Sequence, residues 1–316
     1  MTGQWCLIVN LTAGGGSVKA QWHEIEAALK STLPVAQVVF TEYPKHAIEL
    51  VAAVVQAGCR HIVAVGGDGT NHEVANGIMM QGIVPPEKIT YALLPVGTGN
   101  DWARMYGIPA KLQDWLAMMQ AGHTRLQDVG LVDYVTGNGT TAQRYFVNVA
   151  GMAYDAFVVH YADSRRSTSG GRFFYLWMIL RCLFEYRHVK SRVQYDGQAE
   201  ENYYYTINIG ICRYNGGGIQ MTPQAVPDDG LLALTLAGRI SKLGVILNTW
   251  RFYNGSIGKH PKVRTMQAKE VVVQAAEHEA VLLEADGEFL GQAPASFRVL
   301  HQVLRIVVPS KQQQFS

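Results

Sequence analysis

The stretch VAVGGDGTNHEVANG, residues 63–77, places Asp68 within a run of glycines between an apolar segment and an amphipathic one. Glycines let successive backbone N–H groups converge on an anionic oxygen, and the N-terminus of a following helix adds positive potential at the same point. Asp68 would repel a bare phosphate, but it suits a loop in which Mg²⁺ lies between the carboxylate and the phosphates. The motif therefore predicts a cradle for a metal-bound polyphosphate, and the alternative is a structural turn with a solvated aspartate.

A second loop, LLPVGTGNDWAR at residues 93–104, repeats the arrangement: an apolar run, a Gly-Thr-Gly turn and a helix opened by Asn100 or Asp101. Thr98 offers a hydroxyl beside the phosphates, and Arg104 offers a cation one turn into the helix. A third run, NLTAGGGS at residues 10–17, adds further backbone donors. The patterns GxGxxG and GxxxxGK[ST] are absent, which disfavours a dinucleotide-dependent oxidoreductase and a P-loop NTPase.

The segments that must position these loops alternate between strand and helix patterns over the first third of the chain. Strands are predicted at 5–9, 35–40, 61–65 and 91–96, and helices at 22–33, 47–57, after the GGDGT loop as far as about 80, and through Arg104. Thr70 is predicted to cap the third helix, with Glu73 completing a capping box. This rhythm indicates a parallel sheet covered by helices, in which ligands bind at the carboxyl ends of the strands, where all three glycine loops lie.

After residue 127 short strand patterns dominate, as in an antiparallel sandwich or barrel. Strands are predicted at 131–134, 145–149, 191–195, 203–211, 231–236, 271–274, 280–284 and 303–308, and helices at 172–187 and about 242–253. We therefore predict an α/β nucleotide-binding domain at 1–127, a mainly antiparallel β-sandwich domain at 128–300, and a final strand and tail at 301–316 that returns to the first domain. The tail from Lys311 is predicted to be disordered.

Composition limits the remaining classes of protein. Hydrophobic residues make up 48% of the chain and charged residues 16%, as in a globular protein. The net charge of +2 is too small to favour nucleic acid, but it is compatible with anionic substrates or an acidic membrane surface. The four cysteines are widely spaced, which predicts reduced, buried thiols in a cytoplasmic protein. The longest apolar stretch, 173–184, is too short to span a bilayer, so we expect peripheral contact with membranes.

The combination of VGGDGTNHEVANG with LLPVGTGNDWAR resembles the diacylglycerol kinase catalytic-domain family, and most of all its small bacterial lipid kinases, relatives of the sphingosine kinases. The resemblance extends over nearly the whole chain. Further landmarks follow in order: YFVNVAGMAYDAFV, YNGGGIQMTPQAVPDDGLLAL and EADGEFLGQAPASFRVLHQVLRIVVP. GGDGT alone would not be specific, since NAD kinases and phosphofructokinases share it.

The resemblance implies ATP-dependent phosphoryl transfer to a lipid hydroxyl, in a cleft between a nucleotide domain and a β-sandwich domain. The residues expected to contact the nucleotide are Thr41 after the second strand, Gly66, Gly67, Asp68, Gly69, Thr70, Asn71 and His72 in the first motif, and Thr98, Gly99 and Asn100 in the second. Asn10 is carried over as well, although its loop departs from the family's Asn-Pro-x-Ser-Gly, because NLTAGGGS lacks the proline and the serine.

The resemblance also assigns the proton acceptor and the metals. Asp286 in EADGEF is expected to take the proton of the lipid hydroxyl, with Asp68 as the rival base. Glu288 is expected to hold the catalytic Mg²⁺ together with Asp68. In AVPDDGLL a structural Mg²⁺ is expected on the Asp229 carboxylate and the carbonyls of Val226 and Leu231, with Asp228 as an alternative ligand and a metal-free β-turn as the alternative structure.

An aromatic segment at residues 170–188 is the candidate lipid wall. Phe173, Phe174, Trp177, Leu180 and Phe184 share one helical face. The face is interpreted either as core packing or as an acyl-chain or interfacial surface, bracketed by the cations Arg165, Arg166, Arg172, Arg181, Arg187 and Lys190. The later helix, with Trp250, Phe252 and Tyr253, can complete such a pocket. His160, His188 and His260 lack metal-ligand spacing and are predicted to be structural or surface residues.

Two other classes of function remain open from the sequence. One is an NAD kinase or sugar-phosphate kinase, which the GTGND loop and the DGE motif disfavour. The other is a non-catalytic nucleotide-binding regulator on the same fold, which the joint presence of Asp68, Asp286 and Glu288 disfavours. The diacylglycerol-like and phosphatidylglycerol-like lipids fit the predicted site equally well, and so do a sphingoid base and a polyprenol. The sequence makes no prediction of oligomeric state.

Overall fold

The computed structural model describes residues 3–164 and 172–310, and of residues 172–177 only the backbone. Its parallel region consists of β1 (Trp5–Val9), α1 (Ser17–Thr32), β2 (Val35–Phe40), α2 (His46–Gln56), β3 (His61–Gly66), α3 (Asp68–Met80), β4 (Thr90–Pro95), α4 (Asp101–Tyr106) and α5 (Leu112–Ala121). The four strands pair in parallel in the order β2-β1-β3-β4. β1, β3 and β4 are almost wholly buried apolar runs, as expected where helices cover both faces of a sheet.

The antiparallel region follows. It consists of β5 (Thr124–Val135), β6 (Thr141–Phe146), β7 (Val149–Ala153), α6 (Tyr154–Ser164), α7 (Arg172–Glu185), β8 (Val189–Tyr195), β9 (Gln198–Tyr204), β10 (Thr206–Gly210), β11 (Tyr214–Asn215), β12 (Ile219–Gln220), β13 (Leu232–Ala237), α8 (Lys242–Tyr253), β14 (Val263–Ala268), β15 (Glu270–Ala275), β16 (Leu282–Ala285) and β17 (Glu288–Val307). The predicted fold class, an α/β domain plus a β-sandwich-like domain, is confirmed.

The long strand β17 joins the two regions. It pairs antiparallel with β15, β16 and β5, and near its end Arg305 and Ile306 pair in parallel with Thr90 and Tyr91 of β4. One hydrogen-bonded network of strands therefore runs from the sandwich into the parallel sheet. The predicted boundary after residue 127 falls inside β5, which pairs along much of β17. Lys311 and the rest of the tail lie outside the described residues.

Several predicted elements are wrong in detail. The predicted strand 145–149 is the end of β6 and the start of β7, and 203–211 covers β9 and β10, because apolar alternation continues across each short turn. The helices α5 and α6 and the strand β14 were not predicted at all. Within the described residues, no helix has the length and apolarity needed to cross a bilayer.

The predicted capping box is also wrong. Helix α3 begins at Asp68 with Gly67 at its N-cap, so Thr70 lies inside the helix. Glu73 accepts instead from the backbone N–H groups of Lys45 and Ala47, at 2.7 and 3.3 Å. It therefore serves the N-terminus of the neighbouring helix α2, where a carboxylate is favourable.

Candidate active site

The loops after β3 and β4 touch each other. A Cβ added to Gly97 would lie 2.9 Å from the Cα of Gly67 and 2.8 Å from Oδ1 of Asn100, closer than real Cβ contacts allow. Only glycine fits this approach. Because both strands are parallel neighbours, their carboxyl ends place the two glycine loops at one edge of the sheet.

Asp68 lies between these loops. Its carboxylate accepts the backbone N–H of Asp101 at 2.9 Å. A Cβ on Gly99 would come within 2.7 Å of its Oδ2, so the carboxylate packs directly on the second loop. Burial raises the pKa of Asp68 to about 6, and the nearby Asp101 carboxylate acts in the same direction. The backbone at the N-terminus of α4 donates to the Asp68 carboxylate. These donors do not fully offset burial and the negative charge of Asp101, because the pKa of Asp68 stays raised.

Asp101 connects this edge to the antiparallel region. Its carboxylate accepts the backbone N–H groups of Gly217 and Gly218 at 2.7 and 2.6 Å. Both glycines form the turn between β11 and β12, and both have positive φ. Burial is the largest cause of the raised pKa of Asp101, and these two hydrogen bonds oppose it. No role was predicted for Asp101 beyond opening α4, although the glycine run YNGGGIQ was a signal for a backbone-donor turn.

The other predicted nucleotide residues line the same edge. Asn10 donates to Thr70 Oγ1 at 3.1 Å, and its Oδ1 accepts from Thr12, so the loop after β1 is tied to α3. Thr41 follows β2 and donates its backbone N–H to Val9. Thr98 is exposed. Hydroxyls, amides and backbone N–H groups therefore follow the carboxyl ends of four neighbouring parallel strands, an arrangement that suits phosphate binding.

Asp286 lies in the tight turn between β16 and β17. Ala285 pairs with Glu288, so Asp286 and Gly287 are the two turn residues, and both have positive φ as Asp-Gly hairpin turns require. The Asp286 carboxylate accepts the backbone N–H groups of residues 147, 148 and 149 at 3.0, 2.9 and 3.1 Å. Its fourth partner is Nδ1 of His72, 2.9 Å from Oδ2. Asp286 thus reaches α3 in the parallel region.

Two further contacts join the parallel and antiparallel regions near Asp286. Asn76, one turn after His72, donates to the carbonyl of Tyr145 at 2.9 Å and accepts its N–H at 3.1 Å. Glu288 Oε1 lies 3.5 Å from where a Cβ on Gly69 would stand. The structure therefore brings His72 against Asp286, and Glu288 against the glycine loop that contains Asp68.

A second pair of carboxylates, Glu284 and Asp155, lies beneath the turn and was not predicted. Glu284 is fully buried, accepts from the N–H of Gly287 at 2.8 Å and from Asn215 at 3.3 Å, and burial raises its pKa well above the ordinary range. Asp155 accepts from Thr206 Oγ1 at 2.6 Å, and burial raises its pKa to about 6. Glu284 shapes the turn that carries Asp286. Its signal was an acidic residue inside the otherwise apolar run of β16.

The predicted structural metal site is rich in carboxylates. Asp229 Oδ1 accepts the N–H of Leu231 at 3.0 Å, and Oδ2 accepts from Gln267 at 2.7 Å. Burial raises the pKa of Asp229. Asp228, the alternative ligand, receives two hydrogen bonds from Arg125 at 2.6 and 3.1 Å. Arg125 therefore neutralises Asp228, and Asp229 is the carboxylate better suited to a cation.

Carboxylates suit a hard cation at both predicted Mg²⁺ sites, the catalytic one at Asp68 and Glu288 and the structural one at Asp229. Neither site surrounds a cation completely with protein ligands. Among residues 3–164 and 172–310, no three His, Cys, Asp or Glu side chains converge to hold a metal by themselves. Mg²⁺ commonly binds to one or two carboxylates plus substrate phosphates and water. Asp68 and Glu288 are the carboxylates that the sequence predicts for such a shared site. Glu288 forms no hydrogen bond or ion pair within the described part of the chain, so its carboxylate is available.

The candidate lipid wall is described only in part. Arg165 and Arg166, and the side chains of Arg172, Phe173, Phe174 and Trp177, lie outside the described residues. On the rest of α7, Met178 and Cys182 are buried whereas Leu180 and Phe184 are exposed by 42% and 61%. The described members of the predicted aromatic face therefore point away from the core.

His160, which was predicted to be a structural or surface residue, packs its ring 4.4 Å from that of Phe289, the residue after Glu288.

Family models match both halves of the chain: residues 4–132 match the diacylglycerol kinase catalytic domain, and residues 148–308 match the YegS C-terminal NAD kinase beta sandwich-like domain. A diacylglycerol kinase from Staphylococcus carnosus (strain TM300) is 29% identical over 250 residues, which cover 78% of this chain and 76% of the relative. One from Staphylococcus aureus (strain Newman) is 28% identical over 251 residues, covering 79% and 74%. A solved structure of a diacylglycerol kinase from Bacillus anthracis str. Sterne covers 98% of this chain and 97% of its own, with a TM-score of 0.71 and 20% identity.

A glycine-lined α/β edge that faces a carboxylate-bearing β-sandwich turn defines a two-domain phosphotransferase. The chain belongs to the diacylglycerol kinase catalytic-domain family, as its sequence predicts. It is a lipid kinase, a transferase with an alcohol group as acceptor.

Proposed function

We propose that this chain transfers the γ-phosphate of ATP to the hydroxyl of a diacylglycerol-like or phosphatidylglycerol-like lipid, at a membrane surface in the cytoplasm. One observation carries the proposal. The hydrogen bond between Asp286 Oδ2 and His72 Nδ1, 2.9 Å long, puts a candidate proton acceptor from the sandwich against the helix that follows the glycine loop. A hydroxyl beside Asp286 would then face a phosphate held by that loop.

The triphosphate would lie on the edge formed by the strand ends. Gly66, Gly67, Gly69, Thr70 and Asn71 would supply backbone and side-chain donors from the first loop, and Thr98, Gly99 and Asn100 from the second, with Asn10 and Thr41 at the flank. The N-termini of α3 and α4 favour negative charge at this edge. Oδ1 of Asn100 is buried without a hydrogen-bond partner in the described residues, so it can accept from a ligand.

Asp68 and Glu288 would hold the Mg²⁺ that accompanies ATP, and bound metal would neutralise charge on the phosphates. The raised pKa of Asp68 supports this, since an added cation would relieve its repulsion with Asp101. A second, structural Mg²⁺ would bind the Asp229 carboxylate and the carbonyls of Val226 and Leu231, at the cost of the Gln267 hydrogen bond.

Asp286 would accept the hydroxyl proton of the lipid. Four hydrogen bonds already fill its four lone-pair positions. Three of them come from consecutive backbone N–H groups and are fixed by the chain. The incoming hydroxyl would therefore replace His72, the only side-chain donor among the four. Asp68 is the alternative base, because a pKa of about 6 suits proton transfer near neutral pH.

Phosphoryl transfer from labelled ATP to defined lipids tests the proposal. The full chain would be incubated with Mg²⁺ and dispersed diacylglycerol, phosphatidylglycerol, a sphingoid base or a polyprenol. We expect a labelled product from diacylglycerol or phosphatidylglycerol, and none without Mg²⁺. Labelling of the sphingoid base or the polyprenol alone would refute the proposed substrate class.

A second candidate, an NAD kinase, is favoured by the sandwich match, whose description includes NAD kinase. NAD is therefore included as an acceptor in the same assay. Labelled NAD without labelled lipid would replace the proposal. If ATP binds but no acceptor is labelled, the chain would be a nucleotide-binding regulator instead.

A further inference from the structure

Helix α8 is apolar on two faces, and only one of them is covered. Val245 and Phe252 pack on the hydrophobic core. The outward face carries Leu243, Ile246, Leu247, Trp250 and Tyr253, exposed by 65, 43, 64, 54 and 57%. A surface helix normally turns its apolar residues to the core and its polar residues to solvent. The outward stripe therefore lacks its partner in the described structure.

The end of α7 extends this stripe. Phe184 is exposed by 61%, and the Lys242 ammonium lies 5.6 Å from the centre of its ring and donates to its carbonyl oxygen. Leu180, one turn earlier, is exposed by 42%. The seven exposed side chains form what we call the α7–α8 face. Exposed apolar patches of this kind mark interaction sites.

Two cations border the α7–α8 face, Lys242 beside Phe184 and Arg251 beside Trp250. Residues 239–264 contain six Lys or Arg and no Asp or Glu: Arg239, Lys242, Arg251, Lys259, Lys262 and Arg264. Arg264 is paired with Glu200. The Arg251 guanidinium stands 4.7 Å from the Trp250 ring, next to the apolar stripe. An apolar stripe with tryptophan and a cationic border is typical of helices that lie in the interface of anionic membranes.

The α7–α8 face also lies next to the candidate active site. Gln220 of β12 donates to the carbonyl of Tyr253 at the end of α8. The turn between β11 and β12 delivers Gly217 and Gly218 to Asp101 in the cleft. One short hairpin thus connects the exposed stripe to the phosphate edge. A lipid leaving a bilayer at this face would enter beside the glycine loops.

We propose that the α7–α8 face docks on the surface of a bilayer containing anionic lipid, a step that rests on the proposed lipid kinase function. A second copy of the chain is the weaker occupant. In a two-fold dimer each copy would bring the same cations against its partner's, and like charges across an interface are costly. Anionic headgroups instead complement the border while the acyl region covers the stripe.

Vesicle flotation with the full chain tests this docking. The probes are vesicles of phosphatidylcholine alone and of phosphatidylcholine mixed with phosphatidylglycerol. We expect wild-type protein to float with the mixed vesicles and to be released by high salt. The double variant Leu243→Glu, Leu247→Glu should bind at least about tenfold more weakly. Met80→Glu, at a methionine exposed by 57% at the far end of α3, is the matched control and should bind like wild type.

Kinase activity on a short-chain diacylglycerol dissolved as monomers separates docking from the proposed function. We expect the double variant to keep wild-type turnover on this substrate and to lose turnover on vesicles. Equal flotation of the double variant and wild type would overturn the docking surface. A wild-type dimer that the double variant converts to monomer, with flotation unchanged, would assign the face to a second copy. Flotation without phosphorylation of any lipid would leave docking intact and refute the proposed function.

Discussion

Asp68 and Asp286 occupy matching positions on opposite walls of one cleft, and their surroundings differ. Both follow a strand, and both lie next to glycine. Asp286 is surrounded by donors: three backbone N–H groups and His72. Asp68 accepts the N–H of Asp101 but also faces that residue's carboxylate, and burial with this repulsion raises its pKa to about 6.

The two carboxylates therefore differ in whether the chain itself balances their negative charge. The chain itself balances the charge of Asp286, so its position does not depend on a ligand. Around Asp68 the chain concentrates negative charge that it does not balance. Such excess is expected where a cation supplies the missing charge. Under the proposed function, the hydroxyl would meet a carboxylate that the chain already holds in place, whereas metal and nucleotide would supply the charge that the glycine-loop wall lacks.

Replacing Asp286 by Asn should have the largest effect. Turnover should fall by at least about 100-fold, since a positioned general base commonly contributes this much. The folded protein should also lose about 1–3 kcal/mol, because the amide nitrogen would face backbone donors and leave one of them unpaired. Initial rates on dispersed diacylglycerol and urea unfolding measure the two losses.

Nucleotide affinity is the control for Asp286→Asn. Mg·ATP affinity measured by calorimetry should stay near wild type, because Asp286 lies on the opposite wall from the glycine loops. Wild-type turnover in Asp286→Asn would transfer the role of base to Asp68.

Asp68→Asn should change stability in the opposite direction. The pKa of Asp68 is raised from an ordinary 3.8 to about 6, so between these values the folded state keeps a proton that the unfolded chain releases. The free energy of unfolding therefore falls as pH rises through this window, and the penalty is complete above about pH 6. Without metal, the variant should exceed wild type by about 1–2 kcal/mol near pH 7.5, and should match it below about pH 4.

Urea unfolding at the two pH values measures this gain, and Mg·ATP binding by Asp68→Asn should weaken in parallel. A variant that is less stable than wild type near neutral pH would show that the α4 donors, not the repulsion, dominate at Asp68. Unchanged Mg·ATP affinity would remove its proposed metal role.

Asp101→Asn should have the smallest effect on this cleft, a shift in the pH dependence of Mg·ATP binding. Without the Asp101 charge, one cause of the raised pKa of Asp68 disappears, while the larger cause, burial, stays. The midpoint of the pH dependence of Mg·ATP binding should move down by about one unit or less. Asp114→Asn, at an exposed acid of α5, is the control and should leave the midpoint in place. An unmoved midpoint in Asp101→Asn would disconnect the two carboxylates.

The glycine loops could be predicted from the sequence because their chemistry is local. GGDGT and GTGND each contain donors, strand end and helix start within a few residues, so the phosphate edge follows from adjacency in the chain. The partners of Asp286 could not be predicted this way, since His72 and residues 147–149 lie more than 130 positions away. The capping box failed for the same reason: Glu73 serves α2, a tertiary neighbour.

At the opposite edge of the sheet, a neighbouring donor also stabilises the charged form of a side chain, with a smaller expected effect. Cys6 and Cys59 lie near the amino ends of β1 and β3, and a hydrogen bond with the Cys6 thiol lowers the pKa of Cys59. Like Asp286, Cys59 has its charged form held by a donor. Cys6→Ala should therefore reduce alkylation of Cys59 by iodoacetamide near pH 7.5 by about three- to tenfold, measured by peptide mapping. Cys182→Ser, at a buried thiol on α7, is the control and should leave the alkylation of Cys59 unchanged. Both variants should keep wild-type turnover. Equal Cys59 labelling in Cys6→Ala and wild type would show that Cys6 does not lower the pKa of Cys59.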